Sequence, residues 1–261
     1  SSDARTAEAL ADAKEALIAW AVGNKAEVSG APGMLPFPDR NGETSPYPNP
    51  SLGPYDGESD EVTTPGAINY ALLIGRFPWQ TGKQQAESTA MATDLVDGAG
   101  ERLWYALSAN LIAYPGPGAA PVNSMLLNLD PPPYPWLVVR GPDGAVISDR
   151  VAAVVLSPGV PLPGQARAAP PAAPNPDQYL DAYTIAPGVS LANHDYDACP
   201  DDAGVCNSAA ETGEDFVLAR ATDDFNDRLI YLTIDELMPQ VERRVLGVVA
   251  VAFRKSRRAK A

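Results

Sequence analysis

A single histidine limits the nucleophilic chemistry open to this 261-residue chain. Serine or cysteine catalysis needs a base within hydrogen-bond reach, yet His194 sits in the acidic stretch NHDYDACPDDAGVC and no G-x-S-x-G turn occurs in the sequence. A lone histidine among carboxylates reads as a solvated surface residue. Phosphate-loop, dinucleotide-binding and metalloprotease motifs are missing too. Glycoside hydrolysis would need two carboxylates at a set separation, and 33 acidic residues offer many pairs without marking one. No catalytic residue is assigned, and the chain reads as non-enzymatic.

The same acidic stretch raises the question of a metal. Asp195, Asp197, Asp201 and Asp202 crowd around Cys199 and Cys206, and TDDFND further on adds Asp223, Asp224, Asn226 and Asp227. Calcium takes about six to eight oxygens, often from one loop, so the first four aspartates are the candidate ligands. The twelve-residue calcium loop with its central glycine and closing glutamate is absent, and an ordinary solvated acidic loop accounts for the same residues. The cysteines show neither C-x-x-C spacing nor a histidine partner, which disfavours zinc. A short disulfide between Cys199 and Cys206 is expected instead, and with it a periplasmic or extracellular setting.

Charge narrows the partners. The net charge is -14, but seven of the 19 basic residues follow Val241, where Glu242 is the sole acid. The rest of the chain holds 12 basic against 32 acidic residues, a net -20. Such a body repels phosphate backbones, so it is not expected to bind nucleic acid. The longest apolar run after Gly247 is Val248 to Phe253, far short of the roughly 20 residues that span a bilayer.

The elements that must position these residues begin with SSDARTAEALADAKEALIAWAVGN. Eight of its first 22 residues are alanine, and Leu10, Leu17, Ile18 and Val22 recur at helical spacing until Gly23 and Asn24 stop the helix. Residues 1–24 are therefore read as a helix and 25–261 as one globular head. Of 27 prolines, 21 fall in residues 32–54, 115–135 and 158–176, which read as long surface excursions. Strands are expected at Arg102–Leu107, Trp136–Arg140, Ala145–Ile147, Val151–Leu156, Phe216–Ala219 and Leu229–Leu232, with GPDG at Gly141–Gly144 closing a hairpin. The apolar run VAAVVL suggests a strand covered on both faces. Thr233 and Glu236 have capping-box spacing, and Pro239 is placed to start a second helical segment, although the β-branched run VLGVVAVAF also fits a strand.

The opening helix, a Pro-rich loop and then DGAGERLWYAL together resemble the type IV pilin and type II secretion pseudopilin superfamily, in particular its large minor members. In pseudopilins a D-P-W-G-x-P-Y-x-Y segment enters the sheet, and Asp97, Gly100, Trp104 and Tyr105 look like its counterparts, with Gly98 and Ala99 in place of proline and tryptophan. GRFPWQTG, VVLSPGVPLPGQAR and FNDRLIYLTIDELMPQVERRV are similar to stretches of large pilin-like proteins and occur in the same order. The resemblance implies an α+β pilin-like fold, with the N-terminal helix on an antiparallel sheet, long Pro-rich loops and a C-terminal helix. It also implies assembly with other pilins, inner-membrane anchoring through an apolar segment not in this sequence, and a final place in a pilus or pseudopilus. In that setting the outward helix residues Arg5, Glu8, Asp12, Lys14 and Glu15 are the expected subunit contacts. Bulky loops point to a minor or tip subunit. The rival reading is a secreted adhesin in which Trp20, Trp79, Trp104, Trp136 and the tyrosines hold a glycan.

Overall fold

The computed structural model describes residues 1–23, 33–40, 57–59, 63–64, 67–68, 73–80, 90–111, 135–167, 175–196 and 215–259. The chain opens with α1 (Ser2–Gly23), as the alanine content and periodicity require. One face is buried through Thr6, Ala9, Leu10, Ala13, Leu17 and Ala21. Most of these are small, so the helix axis lies close to the sheet beneath it.

The sheet is built from β3 (Ile74–Arg76), β4 (Trp104–Leu107), β5 (Leu137–Arg140), β6 (Val146–Ser157), β9 (Asp215–Val217) and β10 (Arg228–Thr233). Two small hairpins stand apart from it: β1 (Thr63–Thr64) with β2 (Ala67–Ile68), and β7 (Ala182–Ala186) with β8 (Val189–Ala192). In the main sheet the order is β3-β4-β6-β5-β9, with β10 also paired to β6. The long strand β6 is the axis. Its second half, Val151 to Leu156, is buried throughout, and it pairs antiparallel with β4, β5 and β10. The expected segments Ala145–Ile147 and Val151–Leu156 are thus one strand, whose first half is mostly exposed.

One expectation of the sheet is corrected. It is mixed and curled, because β9 joins β5 in parallel, Val138 opposite Asp215 and Arg140 opposite Val217. The two strands are separated by β6 and the β7–β8 hairpin, and that intervening chain serves as the crossover a parallel pair needs. The GPDG turn closes the β5–β6 hairpin as expected, with Gly144 N–H donating to the Gly141 carbonyl at 3.0 Å and Gly144 at φ 78°.

A second correction concerns the first Pro-rich stretch. Residues 33–36 and 38–39 are buried rather than on the surface. Tyr105 Oη donates to the Pro36 carbonyl at 3.0 Å, and Asp39 forms a bridge to Arg76. Prolines suit this passage because they bury no N–H that needs a partner.

The last element is α2 (Ile234–Ala259). Its start is the capping box read from the sequence: Glu236 N–H donates to Thr233 Oγ1 at 3.1 Å, and Thr233 N–H donates to Glu236 Oε2 at 2.9 Å. Pro239 does not begin a separate helix but sits inside this one, and the VLGVVAVAF run is helical, not extended. Helices α1 and α2 run side by side in the same sense. Lys14 meets Glu236, and a turn or two later Ala21 accepts from Gly33 N–H while Gly33 faces the Val241 side chain.

The core lies between the helices and the sheet, centred on Leu17, Trp104, Tyr105, Val154, Leu156, Phe216 and Leu237, each at most 1% exposed. The chain is α+β, with helices at both ends flanking the sheet.

Candidate functional site

The outward face of α1 is the first place to look for function. Glu8, Asp12 and Glu15 are exposed and follow one another at spacings of four and three, so they form a single stripe. Ala4, Ala11 and Ala19 are exposed along the same stripe. None of the three carboxylates has an ion-pair partner among the described residues. Arg5 is exposed as well, whereas Lys14 is engaged within the molecule, its Nζ lying 2.8 Å from Glu236 Oε1. Burial works upward on the Glu236 carboxyl, but Lys14 and the cap bonds outweigh it and hold the group below its ordinary value.

The start of α1 is fixed by the DGAG turn. Asp97 is 2% exposed and accepts four hydrogen bonds: Ala99 N–H at 2.8 Å and Glu101 N–H at 3.0 Å on Oδ1, Ser157 Oγ–H at 2.7 Å and Gly159 N–H at 3.0 Å on Oδ2. Gly98 N–H donates to Thr6 Oγ1 at 2.9 Å, tying this turn to the helix. A side chain at Gly98 would run into the backbone of Ser2. Asp97 thus joins the end of β6, its own loop and the first turns of α1. The sequence had marked Asp97 only as a counterpart in a family segment.

From Gly159 a polar seam runs through the body. Arg167 donates to the carbonyls of Gly159 at 2.7 Å and Pro158 at 3.1 Å, pairs with Glu101 at 3.1 Å and lies over the Tyr179 ring at 5.1 Å. Arg76 also lies over Tyr179, its guanidinium 4.3 Å from the Tyr179 ring and 4.5 Å from the Trp104 ring. Gln165 connects Arg167 to Asp181, donating to Asp181 Oδ1 at 2.8 Å. The seam ends in two buried carboxylates. Asp227 Oδ2 accepts Asp181 N–H at 2.8 Å and Asn193 Nδ2–H at 3.1 Å, while Asp181 Oδ2 accepts Asn226 N–H at 2.7 Å. Asn193 also holds Val217 of β9 through both backbone groups.

Burial pushes both carboxyls up, and in Asp227 the charge of Asp181 adds to the push. Arg167 and His194 act on Asp181 in the opposite direction. These groups bind loops to the sheet rather than facing solvent. Arranged this way, they brace β6, β7, β8, β9 and β10 against one another.

Of the proposed calcium ligands, Asp195 is exposed in the turn after β8, with its N–H donating to the Ala192 carbonyl at 3.3 Å. Asp197, Asp201 and Asp202, like Cys199 and Cys206, lie outside the described residues. Among the described residues no three His, Cys, Asp or Glu side chains are grouped to hold a metal ion. His194 is half-buried beside the seam. Asp223 and Asp224 are exposed, while Asp227 points inward, so TDDFND does not act as one loop of ligands. None of the four tryptophans is exposed.

The second surface of note is the far part of α2. Beyond Val241 it leaves the body, and Arg243, Arg244, Val245, Leu246, Val248, Val249 and Val251 are all exposed. No described helix is long and apolar enough to cross a membrane. No family model, curated protein or solved structure matches the chain.

Proposed function

We propose that this protein is a non-enzymatic structural subunit, a minor or tip component of a type IV pilus or type II secretion pseudopilus. The observation that carries the reading is the division of α1 into a fully buried small-residue face and an exposed face of Glu8, Asp12, Glu15 and alanines, with its first turns anchored by the Asp97 turn. A helix held this firmly on one side and left small and charged on the other is suited to lie against neighbouring pilins. In this reading the neighbours are other pilins or pseudopilins. The protein is held in the inner membrane and periplasm before assembly and reaches the cell surface afterwards.

The test is immunogold labelling of sheared filaments from the producing cell, with antibody to the body. Gold confined to filament ends or sparse points is the expected result. Gold along the whole shaft defeats the minor or tip placement. Unlabelled filaments with free protein in the medium defeat the subunit reading and favour the adhesin.

A further inference from the structure

Among the described residues, half of the exposed large hydrophobic side chains lie on one segment. Val245 is 38% exposed, Leu246 67%, Val248 54%, Val249 44% and Val251 50%, while the others are distributed over other elements. At about 100° per residue, Ile234, Leu237 and Val241 define the stripe that α2 buries against the body, and Val245, Val248 and Ala252 continue that stripe past the body's edge. From Val241 to Ala252 the overhang is about 16 Å. Arg243 and Arg244 share one side of the overhang with Gly247, Val248 and Val251, while Leu246 lies on another side. Neither arginine has an ion-pair partner among the described residues, and five more basic residues follow in sequence without an acid.

The side that Val248 and Val251 share with Arg243 and Arg244 restricts what can cover it, since an occupant has to bring small or apolar side chains to the valines and negative charge to the arginines. The exposed stripe of α1 meets both conditions: Glu8, Asp12 and Glu15 have no ion-pair partner among the described residues, and Ala4, Ala11 and Ala19 between them allow close approach of a second helix.

We infer that the overhanging part of α2 docks on the outward face of α1 of a second copy of this chain, valines against alanines and Arg243 and Arg244 against Glu8, Asp12 and Glu15. The two surfaces differ, so the contact is heterologous and leaves one free surface at each end of any assembly. It shares with the filament reading only the use of the α1 face as a contact surface.

The experiment uses the purified full chain in light scattering or sedimentation velocity, from about 5 to about 200 µM at low salt. Expected is a mass that rises with concentration past the dimer, and about tenfold weaker association in about 0.5 M NaCl. Two double variants, Asp12→Arg with Glu15→Arg and Arg243→Glu with Arg244→Glu, should each be monomeric alone and associate when mixed, since mixing restores opposite charges at both contacts. Val248→Asp should be monomeric. All these positions are exposed, and an unchanged far-ultraviolet circular dichroism spectrum shows that each variant is folded. A wild type that stays monomeric throughout overturns the inference, as does association that salt strengthens or that both reversals leave intact. Phosphatidylglycerol vesicles that bind the chain as monomers overturn it too. Monomeric protein in this assay with gold on filament ends would sink this contact and leave the subunit reading standing.

Discussion

Ser157 Oγ–H donates to Asp97 Oδ2 at 2.7 Å, across 60 residues of sequence. That bond links the end of the central strand to the turn that receives α1, and it belongs to a set of four on one buried carboxylate. Hydrogen bonds to a charged acceptor each contribute more than neutral ones, and removing the acceptor leaves buried donors without partners. Asp97→Ala is therefore expected to destabilise the chain by about 3 kcal/mol or more, read as a lower urea midpoint at unchanged slope. A loss under about 1 kcal/mol would show that water replaces the carboxylate freely.

Gly98 tests the same joint by shape. Its missing side chain leaves room for the Ser2 backbone. Gly98→Ala must move the start of α1 or the turn, at a cost of about 1–3 kcal/mol. Faster amide exchange in the first two turns of α1, with the β6–β10 ladder unaffected, is the expected local signature. Uniform loss of protection would show instead that the joint is needed for the whole fold.

Leu17 is fully buried at the middle of the α1 contact. Leu17→Ala should cost about 2–5 kcal/mol, since a small-residue helix face has few neighbours able to fill the gap. Glu15→Ala, two residues earlier and exposed, should change stability by less than about 0.5 kcal/mol. Equal effects at the two positions, measured by thermal or chemical denaturation, would contradict the assignment of faces.

The Lys14–Glu236 pair should contribute little, because both groups keep contact with water and salt screens them. Lys14→Ala is expected to cost less than about 1 kcal/mol, and that loss should shrink in about 0.5 M NaCl. Thr233→Ala, which removes the cap oxygen from α2, should cost about 1 kcal/mol regardless of salt. The contrast between the two salt dependences is the measurement.

Asp181 and Asp227 give a pH dependence whose sign follows from burial. Both carboxyls hold their protons more tightly in the folded chain than in the unfolded one. Their stabilising effect is fully present below the unfolded carboxylate range and is lost as pH rises through the raised folded values. The two titrate as a pair. Asp227→Asn removes the charge that Asp181 opposes, so the variant should gain on the wild type as pH rises from about 4 to about 8. Parallel stability profiles for the two proteins would refute this.

How much of this was legible beforehand depended on how local the cause was. Alanine content and periodicity are local, and α1 ends at Gly23 as they require. The capping box at Thr233 and Glu236 and the GPDG turn are local also, and both formed. Pairing is not local: β9 reaches β5 in parallel only through a crossover that no short pattern announces, and the β7–β8 hairpin buries none of its strand residues, so no core-facing apolar run marks it. The seam was hidden for the same reason. Asp181 and Asp227 are 46 residues apart and Asn193 and Asp227 are 34 apart, so in sequence Asp227 looked like one more acid in TDDFND. Counting carboxylates suggested ligands, whereas alternation around the core residue Phe225 turned one of them inward. In α2 the β-branched run argued for a strand, but the cap and a long amphipathic stripe decided for helix.

The parallel course of α1 and α2 sets how the molecule would take a pull. A tug on Ser1 reaches β6 near Ser157 through the Asp97 turn, and an opposing tug on the far end of α2 reaches the last residue of β10. Because β6 and β10 are antiparallel, Arg228 lies opposite Ser157 and Thr233 opposite Val151, so the two forces enter at opposite ends of the ladder. The rungs are then strained together, sliding instead of unzipping one by one, and the body behaves as a tension member along the line of its helices.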